Sequence, residues 1–231
     1  MKNKSKIIKI IILSSLVVLC LVLTVFVLIP FIKHLMTDAG RIAIQEKVDS
    51  LGIFAPLAYI LMETTHIVLA FIPGGPVEII GGVLFGAFWG VILCEAGILI
   101  ATTIIYYLVR KFGKPLVNTF VSEEKFKKFR FLQDEKKLEL ITFVLCLIPG
   151  TPKDVITYVV SLTKIKPSRM IPLVTIARVP SLVSSAMMGA TLSQGKLLIT
   201  GIIFIITAAI GVAGIFINNK VTSAKNSTKK E

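Results

Sequence analysis

Charge is scarce in this chain and lopsided where it occurs. Asp and Glu number 13 and Lys and Arg 26 in 231 residues, so charged side chains make up only 17% of the total. A soluble domain keeps about a quarter of its residues charged, and the shortage excludes one. Cysteine is sparse as well: Cys20, Cys94 and Cys146 fall in apolar runs, at spacings that neither hold a metal nor build a disulfide framework. They read as buried small hydrophobes. There is no His-Glu-x-x-His, no glycine-rich loop closing on Lys-Ser/Thr, and no nucleophile beside a plausible base. An enzyme is therefore not expected, nor a cofactor or resident metal.

What is abundant is apolar surface, at 55% of residues with a mean hydropathy of +0.86. About 20 such residues in a row cross a hydrocarbon core of about 30 Å, and several segments approach that length. The formal net charge of +13 would suggest nucleic acid in a soluble protein. Here the cations cluster at segment ends and in one central loop, which fits the positive-inside rule and attraction to anionic headgroups instead. Nucleic acid is not an expected partner.

Lys2, Lys4, Lys6 and Lys9 precede an uncharged, largely apolar run from Ile10 to Ile29. That run is longer than a signal-peptide core, and Pro30-Phe31-Ile32-Lys33-His34 offers no small-x-small cleavage site. Residues 1–30 are read as an uncleaved anchor with a cytoplasmic N-terminus, and 31–52 as a short amphipathic helix at the outer surface. Residues 53–195 form the main membrane domain. Within it, nine cations against five acids place the loop 110–139 in the cytoplasm. Residues 196–217 cross once more, and 218–231, with Lys220, Lys225, Lys229 and Lys230, read as a disordered cytoplasmic tail.

Parity shapes the middle of the chain. Two apolar segments lie between an outer residue 53 and an inner loop at 110, separated by Pro73-Gly74-Gly75-Pro76. An odd number of crossings results if residues 55–88 form a re-entrant hairpin and Trp89–Val109 is the true span. Pro149-Gly150-Thr151-Pro152 breaks the chain in the same way, giving a second hairpin at 140–163, followed by spans at Met170–Ala190 and Leu197–Ile217. The expected fold is all-α, with about four full transmembrane helices and two opposed re-entrant hairpins.

The two breaks are copies. Phe71-Ile72-Pro73-Gly74-Gly75-Pro76-Val77-Glu78 aligns with Leu147-Ile148-Pro149-Gly150-Thr151-Pro152-Lys153-Asp154 at an offset of 76 residues. Opposite entry sides make this an inverted repeat whose broken helices meet near the midplane. Half-helix N-termini there offer N–H groups and positive dipole ends to an anion.

These residues resemble the DedA superfamily in its SNARE-associated Golgi protein branch, whose shared module is the VTT domain. The resemblance runs over roughly Gly52 to Gln194 and rests on Phe71–Phe88, Tyr106–Gly113 with Tyr106-x-x-x-Arg110, Leu147–Tyr158, and Ala177–Ser181. It implies two opposed re-entrant hairpins. It also implies scrambling or flipping of lipids, including polyprenyl-phosphate carriers in bacteria, often tied to the proton gradient.

Glu78 and Asp154 are the sharpest candidates, since a carboxylate at membrane depth is costly. Two readings stand: proton coupling, or helix capping, in which Gly75 and Thr151 are the N-caps, Pro76 and Pro152 follow at N1, and the acids sit at N3. Glu95, inside a span, reads as a proton relay or a buried hydrogen-bond partner. Arg178, Arg110 and Lys153 are candidate headgroup ligands, because a guanidinium forks onto phosphate and stays charged. Arg178 has the alternative of a structural pair with Asp154, and Arg110 that of snorkelling at the interface. Glu63 and His66 share a helix face, suggesting half of a metal site or, more simply, hydrogen bonding and protonation. Gly82, Gly86 and Gly90 have the small-x-x-x-small spacing of close helix packing.

The expected protein is a multi-pass plasma-membrane lipid transporter of flippase or scramblase type, with both termini cytoplasmic. Its expected partners are anionic lipid headgroups and protons. The alternatives are a proton-coupled transporter of cations or small solutes, and a non-transporting membrane scaffold.

Overall fold

The computed structural model describes residues 33–34, 37–70, 74–120, 135–148 and 151–227. The N-terminal anchor, Phe71 to Pro73, most of the basic loop (121–134), Pro149, Gly150 and residues 228–231 lie outside the described residues. Every regular element among those described is a helix. They are α1 (Asp38–Leu51), α2 (Phe54–Leu69), α3 (Gly74–Phe112), α4 (Lys114–Phe120), α5 (Glu135–Leu147), α6 (Lys153–Ser161), α7 (Pro167–Ser193) and α8 (Leu197–Ser227). Two of them, α3 and α7, are long and apolar enough to cross a membrane. Residues 42–51 and 54–69, bent by 98° from one another, make a third if counted as one broken span.

Local chemistry sets where these helices start and stop. Thr37 caps α1, its Oγ1 accepting from Gly40 N at 3.1 Å. Gly52, at φ 49°, turns the chain into α2, and α2 closes on Ala70 in the left-handed region, with its N–H on the His66 carbonyl. The first copy of the repeat then opens α3. Inside α3, Gly86 adopts φ 77° and ψ 176°, a conformation open essentially to glycine alone. It divides the helix into α3a (74–85) and α3b (87–112). The fold-back is sharp enough that a Cβ on Gly90 would lie 2.9 Å from the backbone of Gly81. The three small residues expected to serve packing therefore split: Gly82 and Gly90 pack, whereas Gly86 makes the turn.

The second half has the same order. Helix α5 leads to the second break, α6 returns, and a turn at 162–166 feeds α7 through Pro167 at its N-terminus. Its first arm begins at Glu135, five residues before the expected 140, within the stretch counted as loop. Among the described residues, the most extensive packing is α3 against α7. Arg110 of α3b meets Ile165 just before α7 at one end, and at the other Gly90 of α3b lies against α3a, whose Gly82 meets Ala186 and Gly189, so α3b runs antiparallel to α7. A Cβ on Gly82 or Gly189 would overlap backbone across that crossing.

Beyond α7, the helix α8 continues to Ser227, through residues expected to be a disordered tail. No glycine or proline follows Gly214 to lower its helix propensity. Its 31 residues amount to about 46 Å, more than the hydrocarbon needs. Tyr59, Ile98, Ile105, Tyr158 and Leu182 form the main core. The outer face is equally apolar: Phe88, Trp89, Ile92, Leu99, Ile100 and Ile104 are all exposed along α3b, as suits a helix solvated by lipid. Helix α1 lies over one end, with Ile44 packed near Val83 and Leu192.

Candidate functional site

Helices that flank the two breaks meet. Tyr158 on α6 donates its hydroxyl to the Val68 carbonyl near the end of α2, so the second half satisfies a helix-end acceptor of the first. Tyr59 on α2 donates to the Val77 carbonyl on α3a at 3.1 Å. Polar side chains from both halves collect around these contacts.

On the second half, Arg178 is buried with 3% exposure. Its Nη1 lies 2.8 Å from Asp154 Oδ1 and its Nη2 donates to Thr157 Oγ1 at 3.2 Å. Its Nε has no partner among the described residues. Lys153 donates through Nζ to Ser181 Oγ, and that hydroxyl donates to the Arg178 carbonyl at 2.8 Å. A buried guanidinium needs a counter-charge, and the first turn of α6 supplies it. Asp154 is thus a partner for Arg178 rather than an N3 cap. The expected register is off by one: Pro152 is the N-cap, without a side-chain hydrogen bond, and Asp154 sits at N2. Thr151 faces the other way, donating to the Leu145 and Ile148 carbonyls at 2.6 and 2.9 Å. It terminates α5 instead of starting α6.

The first copy is shifted too. Helix α3 already includes Gly74, so Gly75 is a helical residue, not a cap, and Pro76 falls within the first turn, where its missing N–H costs nothing. Glu78 is half-buried and one turn further in. Its Oε1 lies 3.7 Å from where a Cβ on Gly74 would sit. Among the described residues it has no salt-bridge partner.

Not every expected residue joins this group. Glu95 is half-buried on α3b, its Oε2 without a hydrogen-bond partner among the described residues, with Arg178 in electrostatic range. Arg110 sits elsewhere. It is exposed, donates to the Ile165 carbonyl at 3.1 Å and covers the Tyr106 ring at 5.0 Å. That is about 16 Å along α7 from Arg178. The Tyr106-x-x-x-Arg110 spacing brings the two side chains together one turn apart.

One cluster stands out more in the structure than in the sequence. Glu63, His66 and Cys94 are all at most 3% exposed. Cys94 Sγ donates to Glu63 Oε1 at 3.2 Å, and His66 Nδ1 lies 3.4 Å from Glu63 Oε2. The i, i+3 spacing revealed the Glu–His half; nothing in the sequence ties Cys94 to it across 31 positions. No group of three or more His, Cys, Asp or Glu side chains among the described residues is placed to hold a metal ion.

A family model described as the VTT domain matches residues 72–191. No curated protein and no solved structure is significantly similar to the chain.

Proposed function

The chain belongs to the VTT domain family, consistent with its DedA and SNARE-associated Golgi protein resemblance, and from that premise we propose that this membrane protein moves an anionic lipid across the bilayer. The preferred cargo class is a lipid-linked phosphate or an anionic phospholipid, with protons as the coupling ion. The observation that carries this reading is Arg178: a buried guanidinium, held on one side by Asp154 and Thr157, with Nε without a partner among the described residues and Lys153 donating to Ser181, three residues along the same helix as Arg178. Guanidinium and ammonium groups at a helix start form a receptor for phosphate oxygens.

In this mechanism the broken helices lie at membrane depth and line a path for the headgroup while the acyl chains stay in lipid. Such irregular backbone is tolerated where protein or a wet cavity surrounds it. Glu78, Asp154 and Glu95 exchange protons as the site faces alternate sides. The protein sits in the plasma membrane with the basic loop 110–139 and both termini in the cytoplasm.

The test is dithionite quenching of fluorescent lipids in proteoliposomes, using a panel that includes an anionic polyprenyl phosphate. Wild-type protein is expected to expose inner-leaflet label, and Arg178→Ala to lose that activity while remaining folded. Equal quenching by both proteins would remove Arg178 from the headgroup path. No excess quenching with any lipid would return the small-solute transporter or scaffold.

A further inference from the structure

The end of the molecule where Arg110 meets the turn before α7 is strongly basic, and the function proposed above leaves it unused. Arg110, Lys111 and Lys114 close α3 and open α4, and Lys164, Lys166 and Arg169 lie in the turn and the first residues of α7; all six are exposed. Glu139 lies 3.7 Å from Arg169, and among the described residues no acid forms an ion pair with the other five. The positive-inside rule explains the sign of these charges. It does not require them to be fastened to one another, as several of them are here.

The fastening point is Ile165. It is buried, and its carbonyl accepts from both Tyr106 and Arg110, while Lys164 and Lys166 on either side of it are exposed. Cations from both halves of the repeat are thereby held at one backbone position. Arg110 spends one N–H on that carbonyl, and a guanidinium carries five. A lipid-facing stripe leads up to the charges: Ile100, Ile104, Tyr107 and Lys111 recur at helical spacing on α3b and are all exposed, with the Lys111 ammonium 5.6 Å from the Phe112 ring centre. Tyr107 sits one turn below both Arg110 and Lys111. Apolar carbon, then a phenol, then fixed positive charge is the order in which a phospholipid presents acyl chain, ester and phosphate. A water-soluble acidic segment would match the charge and have no use for the stripe.

We infer that this end of the molecule binds an anionic phospholipid of the adjacent leaflet as a resident lipid, its phosphate at Arg110 and Lys111 with Lys164 and Lys166 flanking, and an acyl chain along Ile104 and Ile100. Guanidinium and ammonium groups at a membrane surface are the usual receptors for such headgroups. The site lies about 16 Å along α7 from Arg178 and outside the broken helices, so a lipid held here is separate from any cargo. It ties α3b and the turn before α7 to the same headgroup that the Ile165 carbonyl already joins through protein atoms. The inference requires a membrane around the protein and stands whether or not the protein transports.

The experiment titrates the full chain, in a nonionic detergent, against phosphatidylglycerol labelled on one acyl chain and reads anisotropy, with phosphatidylcholine of the same chains as the neutral probe. Wild type is expected to prefer phosphatidylglycerol at least tenfold, to lose that preference as salt rises, and to keep it in Arg178→Ala. Lys111→Gln, Lys164→Gln and Lys166→Gln combined should weaken phosphatidylglycerol binding about a hundredfold, about fivefold for each cation removed, in wild type and in Arg178→Ala alike. The three arginine substitutions at the same positions should retain it, and helical circular dichroism checks that each variant is folded. Equal affinity for the two lipids, or a folded triple glutamine variant that binds like its parent, would overturn the inference. So would loss of binding in folded Arg178→Ala alone, which puts the lipid among the broken helices, or tighter binding of a polyglutamate peptide than of either lipid, which assigns the face to an acidic protein. A protein that moves no lipid in the quenching assay still answers this titration, so the two readings fail separately.

Discussion

Tyr106, at the far end of α3, donates its hydroxyl to the backbone carbonyl of Ile165 at 3.2 Å across 59 positions of sequence. Arg110, one turn on, donates to the same oxygen. The turn that feeds α7 is thus held by two donors from one helix of the opposite repeat. Tyr106→Phe should lower stability by about 1 kcal/mol, the net worth of a buried hydrogen bond, without changing lipid selectivity. Unfolding in detergent, followed by helical circular dichroism, measures the first, and the lipid panel the second. A selectivity change with unaltered stability would place this end of α3 in the substrate path.

The Asp154–Arg178 pair calls for a double-mutant cycle. Asp154→Asn leaves a buried guanidinium uncompensated and should cost about 3–5 kcal/mol, whereas Asp154→Asn combined with Arg178→Gln should recover part of that loss. Purely additive losses would show that the two side chains do not depend on one another.

Three glycines should respond in three different ways to alanine. Gly86→Ala forces a side chain into a glycine-only conformation and should destabilise by about 1–3 kcal/mol, although nothing crowds the site. Gly189→Ala should destabilise by overlap, its Cβ meeting the Ile79 carbonyl. A Cβ on Gly201 in α8 would meet no neighbouring atom within 4 Å, so Gly201→Ala should stabilise by about 0.5–1 kcal/mol. Thermal unfolding of the three variants side by side checks the order. Gly201→Ala proving the worst of the three would refute it.

Lys153→Gln removes a cation from the start of α6 while keeping a donor for Ser181. Transport of anionic lipids should drop several-fold while that of zwitterionic lipids changes little. The same drop for both classes would make Lys153 a structural residue.

The sequence made the broken helices legible because proline lacks the N–H a helix needs and glycine has more backbone freedom to lose, and two copies at a fixed offset are hard to produce otherwise. Arg178 with Asp154 was legible for a related reason: a guanidinium inside an apolar span has to find a carboxylate. What escaped was tertiary. The Glu63–Cys94 contact joins positions 31 apart on different helices. Nor does spacing tie Arg110 to the Ile165 carbonyl, 55 positions away. The cap register slipped because Asp154 turned to Arg178 instead of its own helix end, and Gly86 looked like a packing residue because its spacing does not reveal its φ.

Bare backbone meets bare backbone where Gly82 and Gly189 cross, and at the other end Tyr106 and Arg110 fasten α3 to the turn before α7. A helix pair anchored at both extremities is a strut. Any change of shape that exposes first one leaflet and then the other would then fall to the short pieces outside that clamp, α2, α5 and α6, which carry Glu63, His66, Lys153 and Asp154. Glu78 and Arg178 sit on the strut, and their neighbours Lys153 and Asp154 sit on a piece that the strut does not hold.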